Sequence, residues 1–310
     1  MNFAIVQSAP RRARMLGLSL IELMTALLIG LLLIAGAMTV YMNSRNSYRT
    51  TDVAARMQET ARYAFDVIEP DVRLAGYWGM KKGPAAVSDL VPFGSVTGNC
   101  GNVNGWLGDA TKYLGAFDSS WGGMVCTPTT GWTLAANTDV LLVRRASAET
   151  TAIDTNKIQV QSNRAQASVF TGATAPGGYG TGAAAETHDM VMNVYYIATS
   201  GTQVSLRRKA LRGKTMVDEE VIPDVQDLQV QFGIDADGDG AAEKYVNPGS
   251  VGTASIVSAR IWLLIRSSDD EQGFKNSTNY QYANANIAAA NDKRRRILMS
   301  KTIQIRNAQS

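Results

Sequence analysis

The chain has 310 residues, 45% hydrophobic and 18% charged, an ordinary balance for a folded protein able to bury a sizeable core. Its formal charge of +3 comes from Arg11, Arg12 and Arg14, which lie in an acid-free stretch ending at residue 17. Without them the balance is zero, and a neutral chain has little long-range attraction for nucleic acid or anionic lipid, so neither is the default partner.

After the arginines, an apolar stretch opens at Met15 and reaches about Tyr41 with Glu22 as its only charge. A run of roughly 20 apolar residues can span a bilayer as a helix, and the arginines before it hold that end in the cytoplasm, so the rest of the chain is expected to be exported. Three readings compete. A cleaved secretory signal has an apolar core of about 7 to 15 residues and a small-residue cleavage site, whereas this run is longer and ends without one. A plain anchor leaves Glu22 unexplained, because an ionised carboxylate in a membrane helix costs at least ~2.5 kcal/mol. The third reading is a prepilin-type segment.

Gly17 followed by Leu18-Ser19-Leu20-Ile21-Glu22-Leu23-Met24 resembles the prepilin peptidase motif, in which cleavage follows Gly and Glu is fifth in the mature chain. Leu18 stands where many pilins have Phe. The resemblance implies a leader over 1–17, Leu18 as an N-methylated new N-terminus, and Glu22 paired with such an amine on a neighbouring subunit. Further on, Val53, Ala54, Met57, Ala61, Ala64, Phe65 and Ile68 recur at helical spacing. Residues 18–76 are therefore expected to form one long helix, membrane-spanning to about 41 and amphipathic beyond, with Pro70 as a kink or an end. The stem around Arg56-Met57-Gln58-Glu59 and Arg73-Leu74-Ala75-Gly76-Tyr77-Trp78-Gly79 resembles the PilW family of type IV minor pilins. The closing Thr302-Ile303-Gln304-Ile305-Arg306-Asn307 resembles that family and the pseudopilins of type II secretion.

Residues 77–310 shift to Gly, Ser, Thr, Asn and Ala, with short apolar runs between turn signals, and predict strands over 140–143, 190–198, 203–206, 227–234, 257–265 and 297–307. Ser200-Gly201 marks a hairpin turn, and 257–265 reads as a buried central strand. The expected fold class is α+β, pilin-like, a long N-terminal helix packed on a strand-rich antiparallel head. Residues 81–131 are expected to be an irregular excursion held by a disulfide between Cys100 and Cys126 in an oxidising compartment, worth roughly 3 to 4 kcal/mol, with two free thiols as the competing reading. Gly178-Tyr179-Gly180-Thr181-Gly182 lacks the following Lys-Ser/Thr of a phosphate loop, and Lys293-Arg294-Arg295-Arg296 reads as a solvated turn. The single histidine, His188, sits outside any nucleophile or metal motif, so no enzyme is expected.

In Asp235-Ala236-Asp237-Gly238-Asp239-Gly240-Ala241-Ala242-Glu243, carboxylates at the first, third and fifth positions, a glycine at the sixth, the carbonyl of Ala241 and a closing Glu243 have the spacing that wraps a calcium ion. Val246 at the twelfth position excludes an EF-hand. An acidic hairpin turn is the alternative. The family resemblance implies a minor pilin that helps initiate the pilus near its tip. A minor pseudopilin of type II secretion shares the anatomy, and an adhesive or DNA-uptake module would need a basic or aromatic patch. Implied partners are other minor pilins or pseudopilins through the helix, the prepilin peptidase, the inner membrane and a pilus-tip adhesin, with no nucleic acid. The implied location is the inner membrane, single-pass with the head in the periplasm, and then the pilus.

Overall fold

A computed structural model of the chain describes residue 17 and residues 19–83, 86–89, 91, 96–98, 100–101, 112–122, 124–180 and 182–308. Two compact units divide it, residues 1–53 and 54–310, and helix α1 (Leu20–Arg73) contributes to both. In the first unit α1 is apolar all round from Leu23 to Met42, polar beyond, and turns its large side chains outward: Leu20 is 79%, Leu31 71% and Ile34 70% exposed. A helix of that kind belongs in a membrane or a helical bundle.

In the second unit α1 is amphipathic. Met57, Ala61, Ala64, Phe65, Ile68 and Val72 are buried at three-and-four spacing, while Val53 and Ala54 at the upper end of the expected stripe are half-buried. The helix neither stops at Pro70 nor reaches residue 76. Pro70 lies inside the last turn, where the Leu74 amide still closes on its carbonyl at 3.1 Å. The backbone leaves the helix at Gly76, whose φ of +73° favours glycine and whose amide bonds the Arg144 carbonyl at 3.1 Å.

The strands that follow are β1 (Val87–Asp89), β2 (Thr97–Gly98), β3 (Cys100–Gly101), β4 (Leu114–Asp118), β5 (Val125–Cys126), β6 (Thr133–Leu134) and β7 (Asp139–Thr150). Next come β8 (Gln159–Ser162), β9 (Ala167–Phe170), β10 (Glu186–Ser200), β11 (Gln203–Arg212), β12 (Thr215–Pro223) and β13 (Val225–Asp235). The last are β14 (Lys244–Val246), β15 (Ser255–Arg266), β16 (Tyr280–Tyr282), β17 (Ala285–Ile287) and β18 (Arg296–Gln304). A large, mostly antiparallel sheet runs β1-β9-β8-β10-β11-β12-β2, with β7 and β6 also on β10 and β4 on β7. A second sheet runs β14-β13-β15-β18, so β15 is central as expected and β18 closes an edge. The hairpin at Gly201, φ +58°, pairs Ser200 with Gln203. The 81–131 segment is less irregular than expected, because Leu114–Asp118 joins the main sheet beside β7.

Polar contacts fix the helix on this scaffold. Asp71 is buried and accepts hydrogen bonds from Arg145 Nη2 at 2.9 Å and Nε at 3.2 Å, from the Tyr195 hydroxyl at 2.6 Å, and from Asn193 Nδ2. Arg145 belongs to β7 and the other two to β10, so one carboxylate ties α1 to two paired strands. Removing it leaves a largely buried guanidinium without its counter-charge. Asp71→Ala is expected to lower unfolding free energy by roughly 3 to 5 kcal/mol. Urea unfolding measures this, and a loss below about 1 kcal/mol, the size of an exposed pair, would remove the clamp from the account.

Candidate functional site

The N-terminal turn of α1 is built by its own sequence. The Ser19 hydroxyl accepts the Glu22 amide at 3.2 Å and the Ser19 carbonyl accepts the Leu23 amide at 3.1 Å, so Ser-x-x-Glu caps the helix and puts Glu22 in its first turn. Gly17 precedes the cap, with open space where a Cβ would stand, while Leu18 and the rest of the leader lie outside the described residues. Glu22 is exposed and, among the described residues, meets no cation. Elsewhere in the apolar half the polar groups satisfy themselves: the Thr25 hydroxyl donates to the Ile21 carbonyl at 3.0 Å and the Thr39 hydroxyl to the Ala35 carbonyl at 2.9 Å. The helix is long and apolar enough to cross a membrane.

Cys100 and Cys126 are joined in a disulfide, directly opposite each other where β3 pairs with β5. The acidic loop connects β13 to β14, a hairpin in which Ile234 pairs with Lys244. Ligand oxygens of Asp235, Asp237, Asp239 and Glu243 all lie within 4.8 Å of one another. Asp235 is buried and accepts the Gly238 amide at 2.6 Å and the Gly240 amide at 2.8 Å, and both glycines have φ of +85°. Asp239 accepts the Ala241 amide at 2.7 Å, Asp237 the Asp239 amide at 3.2 Å, and Glu243 the Ala236 amide at 2.7 Å. These bonds are what an acidic turn requires. Four convergent carboxylates also give an all-oxygen donor set that fits a hard cation of the calcium kind.

Two other sequence features have structural roles. His188 lies within β10, 1% exposed, with Nδ1 at 2.9 Å from the Ser147 carbonyl and Nε2 at 3.2 Å from Glu186, beside a bulge in the β7–β10 ladder. The basic run is not a bare solvated turn: Arg294 pairs with Asp270, Arg295 with Glu271 and Arg296 with Asp292.

Residues 194–307 match the family model described as Type IV Pilus-assembly protein W. Over that span the chain is similar to the PilW family. The span contains the acidic loop and β18, while the cap at Ser19, Glu22 and the cysteines lie before it. A solved structure, the type IV-like pilin TTHA1219 from Thermus thermophilus, aligns over 82% of this chain and 98% of its own at 11% identity, with a TM-score of 0.37. No curated protein matches the chain.

Sequence reasoning missed a buried carboxylate at the junction of the two sheets. Asp139 opens β7, is fully buried, accepts the Val230 amide of β13 at 2.8 Å through Oδ2, and leaves Oδ1 without a partner. Burial, joined by the nearby charges of Asp118 and Asp227, pushes its carboxyl from the ordinary 3.8 up to about 7, and Asp227 is raised by burial as well. Only an acid at a strand start hinted at this. Between the two values the folded chain holds a proton that the unfolded chain has released, so stability is expected to fall as pH rises from about 4 to about 7 and then level off, by on the order of 4 kcal/mol. Asp139→Asn should flatten that slope and exceed the parent's stability at alkaline pH; urea midpoints across the range check both, and a slope unchanged in the variant would contradict the assignment.

Proposed function

We propose that this chain is a minor pilin of a type IV pilus. The observation that carries the reading is the first half of α1, apolar on every side and exposed, with a single carboxylate in its opening turn. The arginines before it favour a cytoplasmic N-terminus and a periplasmic head. The prepilin peptidase cuts after Gly17, Leu18 is methylated, and the helix then moves from lipid into a bundle of neighbouring N-terminal helices. Lipid tails and apolar side chains are near-equivalent surroundings, so that move gains little from hydrophobicity. Register is left to the charge: Glu22 against a neighbour's terminal amine is favourable, and any other height leaves it unpaired in an apolar bundle. The subunit acts near the pilus tip, with other minor pilins and a tip adhesin as partners, in initiating assembly. The PilW match favours a pilus over type II secretion. Mass spectrometry of the mature chain is expected to find methyl-Leu18 at its start, and Glu22→Ala is expected to keep the fold and membrane insertion but lose most co-purifying minor pilins. A start near Met42, or full recovery of partners with the variant, would overturn this.

We further propose that the 235–243 loop holds a calcium ion through Asp235, Asp237, Asp239, Glu243 and the Ala241 carbonyl. The expected dissociation constant is about 0.1–1 mM, as in extracellular modules, so about 10 mM calcium should add roughly 1 to 3 kcal/mol of stability. Calorimetry with the detergent-solubilised chain should show that binding, and Asp237→Ala and Asp239→Ala, both at exposed positions, should abolish it. Absence of heat together with an unshifted melting temperature would leave the loop as a turn alone.

A further inference from the structure

Where β12 turns into β13, a cleft of about 300 Å³ is lined by Trp132, Gln203, Glu220, Asp224, Arg266 and Arg294 among others. That is the small end of the range for ligand pockets, the size of one sugar ring or a comparable molecule. Its frame is rigid. Asp224 holds a positive φ of +64°, and both its carboxylate oxygens are used: Arg266 Nε donates to Oδ1 at 3.3 Å and the Ser268 hydroxyl to Oδ2 at 2.6 Å. The Arg266 amide also closes on the Asp224 carbonyl at 2.9 Å, and Arg266 Nη2 donates to the Thr202 carbonyl at 2.6 Å. The guanidinium is therefore fixed from two sides, with a side chain only 15% exposed.

The charges lining the cleft balance, Arg266 and Arg294 against Asp224 and Glu220, but the hydrogen-bond donors do not. Arg294 gives its Nε to Asp270 at 3.1 Å, and its terminal nitrogens carry no hydrogen bond among the described residues. Burial, then the like charges of Arg294 and Arg296, pull the Arg266 guanidinium below its ordinary range, despite the opposing pull of Asp224. The unbonded end of Arg294, beside the fixed guanidinium of Arg266, offers a planar donor fork that suits a carboxylate. The same cleft has an aromatic wall. Trp132 is half-buried and held in place by Arg207, whose guanidinium lies 4.9 Å from its ring centroid. An indole face packs against the C–H face of a sugar ring, and the exposed Gln203 and Glu220 offer acceptors for hydroxyl protons.

We propose that this cleft binds a saccharide bearing a carboxylate, with Arg266 and Arg294 on the acid and Trp132 against the ring. The site is distinct from the helix and from the acidic loop, and does not depend on the pilus reading. The test is calorimetric titration of the detergent-solubilised chain with glucuronate, glucose and acetate as separate probes. Glucuronate is expected to bind in the millimolar range, with glucose and acetate each at least tenfold weaker because each lacks one of the two contacts. Arg294→Gln, which breaks only a partly exposed ion pair, is expected to cut glucuronate affinity at least fivefold with an unchanged melting temperature, and Trp132→Ala to do the same. Should Trp132→Ala fail to fold, Arg294→Gln and the three probes still decide. Equal binding of acetate would mean a simple anion hole, equal binding of glucose would remove the arginines from recognition, and no heat from glucuronate would mean no site; each of these overturns the proposal.

Discussion

One buried carboxylate sets the position of the helix on the sheets. The apolar stripe from Met57 to Val72 decides which face of α1 turns inward, but it decides little about height, because Ala61 and Ala64 are small and a slide of one turn, ~5.4 Å, would still bury apolar surface. Asp71 removes that freedom. It is met by a guanidinium, a phenol and an amide from β7 and β10, and a slide would strand both it and Arg145 in low dielectric. The same turn is tied to β18, where Lys301 pairs with Glu69 and the Arg306 amide bonds the Arg73 carbonyl at 3.0 Å. Both sheets are thereby referenced to the last two turns of one helix.

The first half of α1 follows the opposite rule. Among the described residues of this half, Thr25 and Thr39 close on their own backbone and the large side chains face outward, so no polar contact fixes its height. Glu22 is its one charge up to Met42. Its place in the first helical turn earns some help from the helix dipole, about 0.3–1 kcal/mol, which is smaller than the ~2.5 kcal/mol or more that an ionised carboxylate costs in a membrane helix. The cap at Ser19 accounts for why the helix begins where it does, but the dipole does not account for the charge. The proposed terminal amine of a neighbouring subunit would supply that counter-charge.

Much of this was legible in the sequence because it depends on period and on local chemistry. The helix stripe, the strands at 140–143, 190–198, 227–234 and 257–265, and the turn at Gly201 are read from neighbours in the chain. What was not legible depends on residues far apart. Leu114–Asp118 carries no strong alternation and becomes a strand because β7 offers it an edge. β12 carries Asp218, Glu219 and Glu220, consecutive acids that give no strand signal. In the structure Asp218 accepts from Tyr196 at 2.6 Å, Arg207 at 3.0 Å and Lys209 at 3.3 Å, the last fully buried, so the acids are part of the sheet's own charge network. His188 misled in the same way, since a lone histidine among polar residues gives no sign that its ring will be enclosed by backbone carbonyls.

The two charged runs, 293–296 and 235–243, show why a cluster of like charge has no meaning until its partners are known. The three arginines of the basic run each meet an acid of the fold, Asp270, Glu271 and Asp292, with the terminal nitrogens of Arg294 left over. The acidic loop meets only its own amides, which orient the carboxylates without neutralising them. Neutral donors stabilise a carboxylate by roughly 1 kcal/mol each net, while like charges at these separations cost comparable or larger amounts near a protein surface. A loop selected only for turning could relieve that repulsion by replacing any one of its acids with Asn or Gly, both good turn residues. Turning alone does not require all four acids at convergent positions, and that is the observation on which the calcium proposal rests.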